Sequence, residues 1–160
     1  MVFGRPRPVR RNRRGEIELH LPGEARQVLA QLCQELRELL TTDDPSLRRL
    51  FPTAYLLDPD RDAEYQILAR SELMDRRMAA LERMEQTVDA EVLDEEDVAA
   101  WMHGINQLRL VLGTRLGVSE DELPEPPDPD DPDAMAWANA YAAYDYLSAL
   151  LDAFVEAASP

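Results

Sequence analysis

Arg109 is the residue whose type and position carry the most chemical information in this sequence. On a helical wheel it falls among Ile105, Leu112 and Leu116, within an apolar stripe. A guanidinium there needs a carboxylate or several carbonyls, because an unpaired buried charge costs on the order of 3–5 kcal/mol. Glu72, Glu85 and Asp145 are candidate partners for a core ion pair, and Asn106 would share the network. The other reading places Arg109 at the floor of a pocket, with Asn106 and His103 beside it. His103 lies on the same helix and reads as a buried structural histidine, whereas His20 alternates outward on a strand. Neither histidine has His or Cys companions at metal-ligand spacing, so no metal or cofactor is expected. There is no glycine-rich phosphate loop and no nucleophile–base spacing, and the expectation is a protein that is not an enzyme.

Cys33 is the one cysteine, so no intramolecular disulfide can form, which fits a reducing, cytoplasmic setting. It sits on an apolar helical stripe with Leu29, Leu32 and Leu36, where a thiol behaves as a small inert hydrophobe. A redox role would need solvent access and a nearby cation such as Arg37. Acids cluster at Asp94–Asp97, which reads as a helix start, and at Asp128–Asp133, which reads as a solvated loop.

Charge is divided unevenly. The net charge is −15, yet residues 1–14 carry six arginines (Arg5, Arg7, Arg10, Arg11, Arg13 and Arg14) and no acid. The other 146 residues hold 11 arginines against 32 acids, a body that repels nucleic acid phosphates. DNA contact is therefore expected only through the N-terminal arm, where arginine with proline can track phosphates or enter a minor groove. The same arm could instead pair with acidic protein surface. Its few apolar residues suggest that the helical fold does not depend on it.

The elements that position these residues follow from periodicity. Glu16–Leu21 alternates polar and apolar, Asn12–Gly15 reads as a turn, and a short hairpin results, with its first strand near Pro6–Arg11. From Gly23 to Leu40, Ala25, Val28, Leu29, Leu32, Cys33, Leu36, Leu39 and Leu40 recur at helical spacing. Asp44-Pro45 caps a short helix containing Leu47, Leu50 and Phe51. A long helix over 61–87 carries Ile67, Met74, Met78 and Leu81, with Val88 continuing the stripe. Asp94 caps the next helix, which ends before Gly117 and is apolar nearly all round, so it should be the central element. Residues 119–133 hold eight acids and five prolines and form an acidic, proline-rich loop. A last helix over 133–158 presents Trp137, Tyr141, Tyr144, Leu151 and Val155 on one face. The expected fold is a mainly α single domain over 1–160, a bundle of about four main helices with a small N-terminal β-hairpin. No apolar run approaches the ~18 residues of a membrane span.

Two stretches carry a family resemblance. One is Asp44–Tyr55, and the other is Trp101–Leu116, in which Trp101, Asn106, Leu108, Arg109, Leu110, Leu112 and Gly113 match a pattern of Trp followed by Asn-Asp-Leu-Arg-Leu-x-Leu-Gly. These residues resemble an actinobacterial family of oxidative-stress transcriptional regulators, the AosR-like family, formerly a domain of unknown function. The resemblance implies a regulator that contacts an alternative sigma factor or RNA polymerase and controls cysteine-biosynthesis genes. Gln107 stands where the family commonly has Asp, and the family's cysteine-pair switch cannot operate with Cys33 alone. An adaptor or assembly protein serving proteolysis or cysteine metabolism is the rival reading. Either way the expected partner is another protein, met by helix and acidic-loop contacts, and oligomeric state is left open.

Overall fold

The computed structural model describes residues 7–51, 59–118 and 124–160. In chain order it contains β1 (Val9–Arg11), β2 (Ile17–Leu19), α1 (Gly23–Leu39), a 3-10 turn (Pro45–Leu47), α2 (Pro59–Gln86), β3 (Val92–Leu93), α3 (Glu95–Leu116) and α4 (Ala134–Ala158). Four helices with a small antiparallel sheet make the fold mainly α. The hairpin gains a third strand, β3, so the sheet order is β1-β2-β3. Its register pairs Val9 with Leu19, Arg11 with Ile17, and Ile17 with Leu93. Gly15 turns the hairpin at φ +82°, a conformation that side chains rarely adopt.

α3 is the central helix and packs mainly against α4 and α2. Its start is fixed by a reciprocal capping box: the Asp94 carboxylate accepts from the Asp97 N–H, and the Asp97 carboxylate accepts from the Asp94 N–H. Its end is set by Gly117 in the left-handed region at φ 76°. Trp101 is fully buried, stacks on Phe154 of α4 at 5.6 Å, and donates its indole N–H to the Thr87 hydroxyl at 2.7 Å. Gly104 brings α2 close, since a Cβ there would lie 2.8 Å from the Met84 sulfur. Leu29, Cys33 and Leu36 of α1, Leu81 and Met84 of α2, and Leu147, Leu150 and Phe154 of α4 complete the core.

Several expected core positions are corrected. Ile67 lies exposed on α2 rather than on its buried stripe, as do Val28 on α1 and Val155 on α4. On α4 it is Phe154 that turns inward, one position before Val155. Leu50 and Phe51 are buried, but the helical turn ahead of them is 3-10 and stops at Leu47.

Candidate functional site

The described N-terminal arginines do not form a separate arm. Val9 is 3% exposed and belongs to the core, so residues 9–11 form the first strand of the expected hairpin and pack with the domain. Arg11 explains why the strand sits where it does. Its guanidinium donates to the carbonyls of Ala157 and Ala158, both at 3.0 Å, and so satisfies the end of α4. Helix ends carry unpaired carbonyls and partial negative charge, which a guanidinium meets on both counts. Arg7 pairs with Glu156 at 3.2 Å with both groups well exposed, and Arg10 pairs with Glu18 at 2.9 Å. Arg13 and Arg14 sit exposed in the turn, and their guanidinium groups have no partner among the described residues. Arg5 lies outside the described residues.

Glu18 is the electrostatic centre of this hairpin. It accepts from His20, Arg10 and Asn12, and these bonds hold its carboxyl down from the ordinary 4.5 to about 2. Between β1 and α4 runs a groove of about 650 Å³. Its helix side is formed by Tyr146, Ala149, Leu150, Ala153 and Ala157, with Asp152 and Glu156 at the rim and Arg7, Arg10 and Arg11 on the strand side. Small side chains on α4 open the space, and partial burial pushes the Tyr146 hydroxyl up from its ordinary value.

The polar residues singled out on α3 are not brought together. His103 and Asn106 lie on the exposed face of α3, not in the interior. Arg109 is half-buried and makes no ion pair among the described residues; Glu85 instead pairs with Arg37. The Arg109 guanidinium donates to the Ser148 hydroxyl at 2.9 Å and lies 5.8 Å over the Tyr144 ring. Tyr144 continues an aromatic row on α4 through Tyr141 to Trp137, whose ring stacks on Tyr141 at 5.3 Å. Arg109 thus ties α3 to α4. The buried polar residue is its neighbour Gln107, 2% exposed, whose amide donates weakly to the Arg77 carbonyl at 3.4 Å. Both Gln107 Oε1 and Arg77 Nε are buried without a hydrogen-bond partner among the described residues.

A model of a family described as a domain of unknown function, DUF2017, matches residues 6–158. The chain belongs to this family. No curated protein and no solved structure matches it. The DUF2017 match takes in both motif stretches, the hairpin and all four helices.

Within this DUF2017 domain Cys33 is fully buried, and desolvation, reinforced by the Glu85 charge and opposed by Arg37, pushes its thiol up to about 12. The acid cluster at Asp94–Asp97 is used internally: Arg83 donates to Asp97 at 2.7 Å and to Glu96 at 2.9 Å, tying the end of α2 to the start of α3. Among the described residues no group of three or more His, Cys, Asp or Glu is placed to hold a metal ion. No described helix is long and apolar enough to cross a membrane. Of the acidic loop, residues 124–133 are extended chain and turns, and 119–123 lie outside the described residues.

Sequence reading missed Arg26, the most heavily bonded side chain described. It donates to four carbonyls: Leu19 at 3.0 Å, Leu21 at 3.0 Å, Val88 at 2.7 Å and Ala90 at 2.9 Å. These carbonyls belong to β2, its exit, and the turn between α2 and β3. Arg26 stands outside the apolar spacing that marks α1, and nothing local reveals carbonyls more than 60 residues away.

Proposed function

We propose that this chain is a protein-binding regulator of transcription, whose hairpin–α4 face docks on an alternative sigma factor or the RNA polymerase that carries it. The observation that carries a binding role is the pairing of opposite characters on one face. A cluster of outward arginines borders an apolar-floored groove, on a domain whose remaining charge is strongly negative. Apolar floor with a charged rim is the usual composition of a protein contact, in which the rim steers encounter and the floor excludes water. The sigma-factor partner and the oxidative-stress setting come from the resemblance of the Trp101–Leu116 stretch to AosR-like regulators. Regulation through Cys33 is not part of the reading, because its thiol is enclosed by the core.

Binding of the full-length protein to purified sigma factor and to RNA polymerase tests this, with Arg10→Glu, Arg13→Glu and Arg14→Glu combined in one variant. The variant should keep its helical signal and lose at least about tenfold in affinity, about 1.4 kcal/mol. Unchanged binding to both proteins would move the contact elsewhere. Capture of a protease adaptor or a cysteine-metabolism enzyme, with no affinity for either transcription protein, would favour the adaptor reading.

A further inference from the structure

The ladder between β1 and β2 decides which backbone groups of β1 are used. The His20 N–H donates to the Pro8 carbonyl at 2.8 Å, and the Asn12 N–H to the Glu16 carbonyl at 2.9 Å. In an antiparallel pair, bonded and non-bonded positions alternate, so residues 8, 10 and 12 bond toward β2. Val9 and Arg11 occupy the alternate positions, and their N–H and C=O groups point away from β2. The same rule is met on the other side of the ladder: Leu19, opposite Val9, turns its N–H outward to the Glu91 carbonyl at 2.8 Å. No described residue outside the hairpin hydrogen-bonds the backbone of Val9 or Arg11. That edge lies along the groove whose opposite wall is α4.

We infer that β1 accepts an extended segment of a partner protein as an added strand, with apolar residues toward α4 alternating with acidic residues beside Arg10. This rests on the reading of the hairpin–α4 face as the binding surface. An edge strand beside a helix offers main-chain bonds along one side and side-chain pockets along the other, the geometry of strand-addition recognition. Side-chain alternation sets the partner's pattern. Val9 turns toward the core, so the added strand's residues in register with it face Leu150 and Ala153. Asp152 on that side has no cation partner among the described residues and disfavours carboxylates there, whereas Glu156 is paired with Arg7. On the opposite face Arg10 is exposed though paired with Glu18, and Arg13 and Arg14 at the adjoining turn have no partner among the described residues, so carboxylates are favoured there. A second copy fits poorly, because β1 against β1 would set arginines beside arginines. Arginines on an edge discourage such self-pairing and at the same time select an acidic partner.

The test uses the full-length protein and a synthetic peptide of about six residues in which glutamate alternates with valine. A second peptide has the same composition with the two residue types in separate blocks. Amide hydrogen exchange is read at Val9, Arg10 and Arg11. The alternating peptide should slow exchange at Val9 and Arg11 by at least about tenfold and leave Arg10, already bonded within the hairpin, unchanged. The block peptide should do neither. Arg11→Pro removes the edge donor and Arg11→Ala removes the same side chain but keeps it, so Pro should weaken binding at least about tenfold more than Ala. Equal losses, or binding without protection of Val9 and Arg11, would overturn strand addition while leaving the face as a binding surface. Transcription-protein binding indifferent to Arg10, Arg13 and Arg14 would overturn the face as well. Protection of both amides in the protein alone also overturns the inference: it places a second copy on the edge if lost on dilution, and the chain's own first residues there if not.

Discussion

Replacing Arg26 should destabilise the domain more than replacing any other exposed or half-exposed charge described here. Its guanidinium holds four carbonyls at 2.7–3.0 Å, two from the β2 region and two from the turn that leads into β3. Hydrogen bonds to charged groups contribute roughly 1.5–3 kcal/mol each on removal, so four at face value would exceed ~6 kcal/mol. Two effects reduce that figure. The site is only part-buried, so water reaches some of the abandoned carbonyls, and truncation releases about 2 kcal/mol of arginine side-chain entropy. We expect a loss on the order of 3 kcal/mol for Arg26→Met, which keeps the aliphatic stem and removes the donors. In a domain of this length that is a fall in Tm of roughly 6–12 °C. Arg26→Lys should recover less than half, because an ammonium is a point donor and cannot span the same carbonyls as a planar fork. Thermal and urea unfolding of the three proteins gives the numbers, and exchange at Leu19, whose N–H bonds the Glu91 carbonyl, reports whether β3 loosens first. Arg26→Met within about 1 kcal/mol of the parent would refute the view that this guanidinium holds the third strand in place.

Cys33 should react with a thiol reagent only as fast as the domain opens, because its fully buried thiol is pushed up to about 12; rapid labelling in native buffer would show otherwise. Gln107→Met should be neutral or stabilising by up to about 1 kcal/mol, since it replaces an orphaned buried acceptor and a long hydrogen bond with an apolar chain of similar volume; a loss above about 2 kcal/mol would reveal a bonded network there. Gly104→Ala should lower Tm despite Ala's better helix propensity, because the new methyl meets the Met84 sulfur at 2.8 Å; in a Met84→Ala background the same change should become favourable. Glu18 contributes stability that is fully present above its ordinary 4.5 and is lost as pH falls from there toward about 2, so Tm should drop less over that window in Glu18→Gln than in the parent. A parallel decline in the two proteins would remove Glu18 as the group responsible.

The helices were legible because each buries a stripe at helical spacing and several carry their own end signals. Asp94 with Asp97, Gly117, and Asp44 ahead of Pro45 act as the residue types alone suggest. Failure came where the pattern carries no contrast. α3 is apolar nearly all round, so its wheel offers no polar side from which to infer an orientation. The structure turns Ala99, His103 and Asn106 outward and Gln107 inward, which puts a long polar side chain in the core. The same ambiguity hides the orientation of Arg109, whose position borders α4 instead of facing the interior. β3 was invisible because Val92-Leu93 is too short to alternate. The groove between β1 and α4 is equally hidden, since it joins residues 7–11 to residues 146–159 and depends on the alanines of α4 rather than on any motif.

All 17 basic residues are arginine, and the structure gives that choice a physical consequence. Four of the guanidinium groups bond backbone carbonyls where elements end: Arg11 at the end of α4, Arg26 after α2, Arg49 at Val118 just beyond α3 (2.6 Å), and Arg77 at Leu50 beyond the 3-10 turn (3.0 Å). Each meets groups that the helix itself cannot satisfy. Arg37 and Arg83 are engaged with acids of neighbouring elements. These positive charges are used in holding the domain together and are poorly placed to meet a partner. The hairpin differs because its turn projects past the last carbonyl that Arg11 can reach, leaving Arg13 and Arg14 no described group to bond. A strongly acidic chain can therefore present a local basic edge without excess basic residues. Helix ends and neighbouring acids occupy several of the described arginines, while Arg13 and Arg14 project outward beside β1, an edge strand whose Val9 and Arg11 backbone groups are unbonded by described residues outside the hairpin.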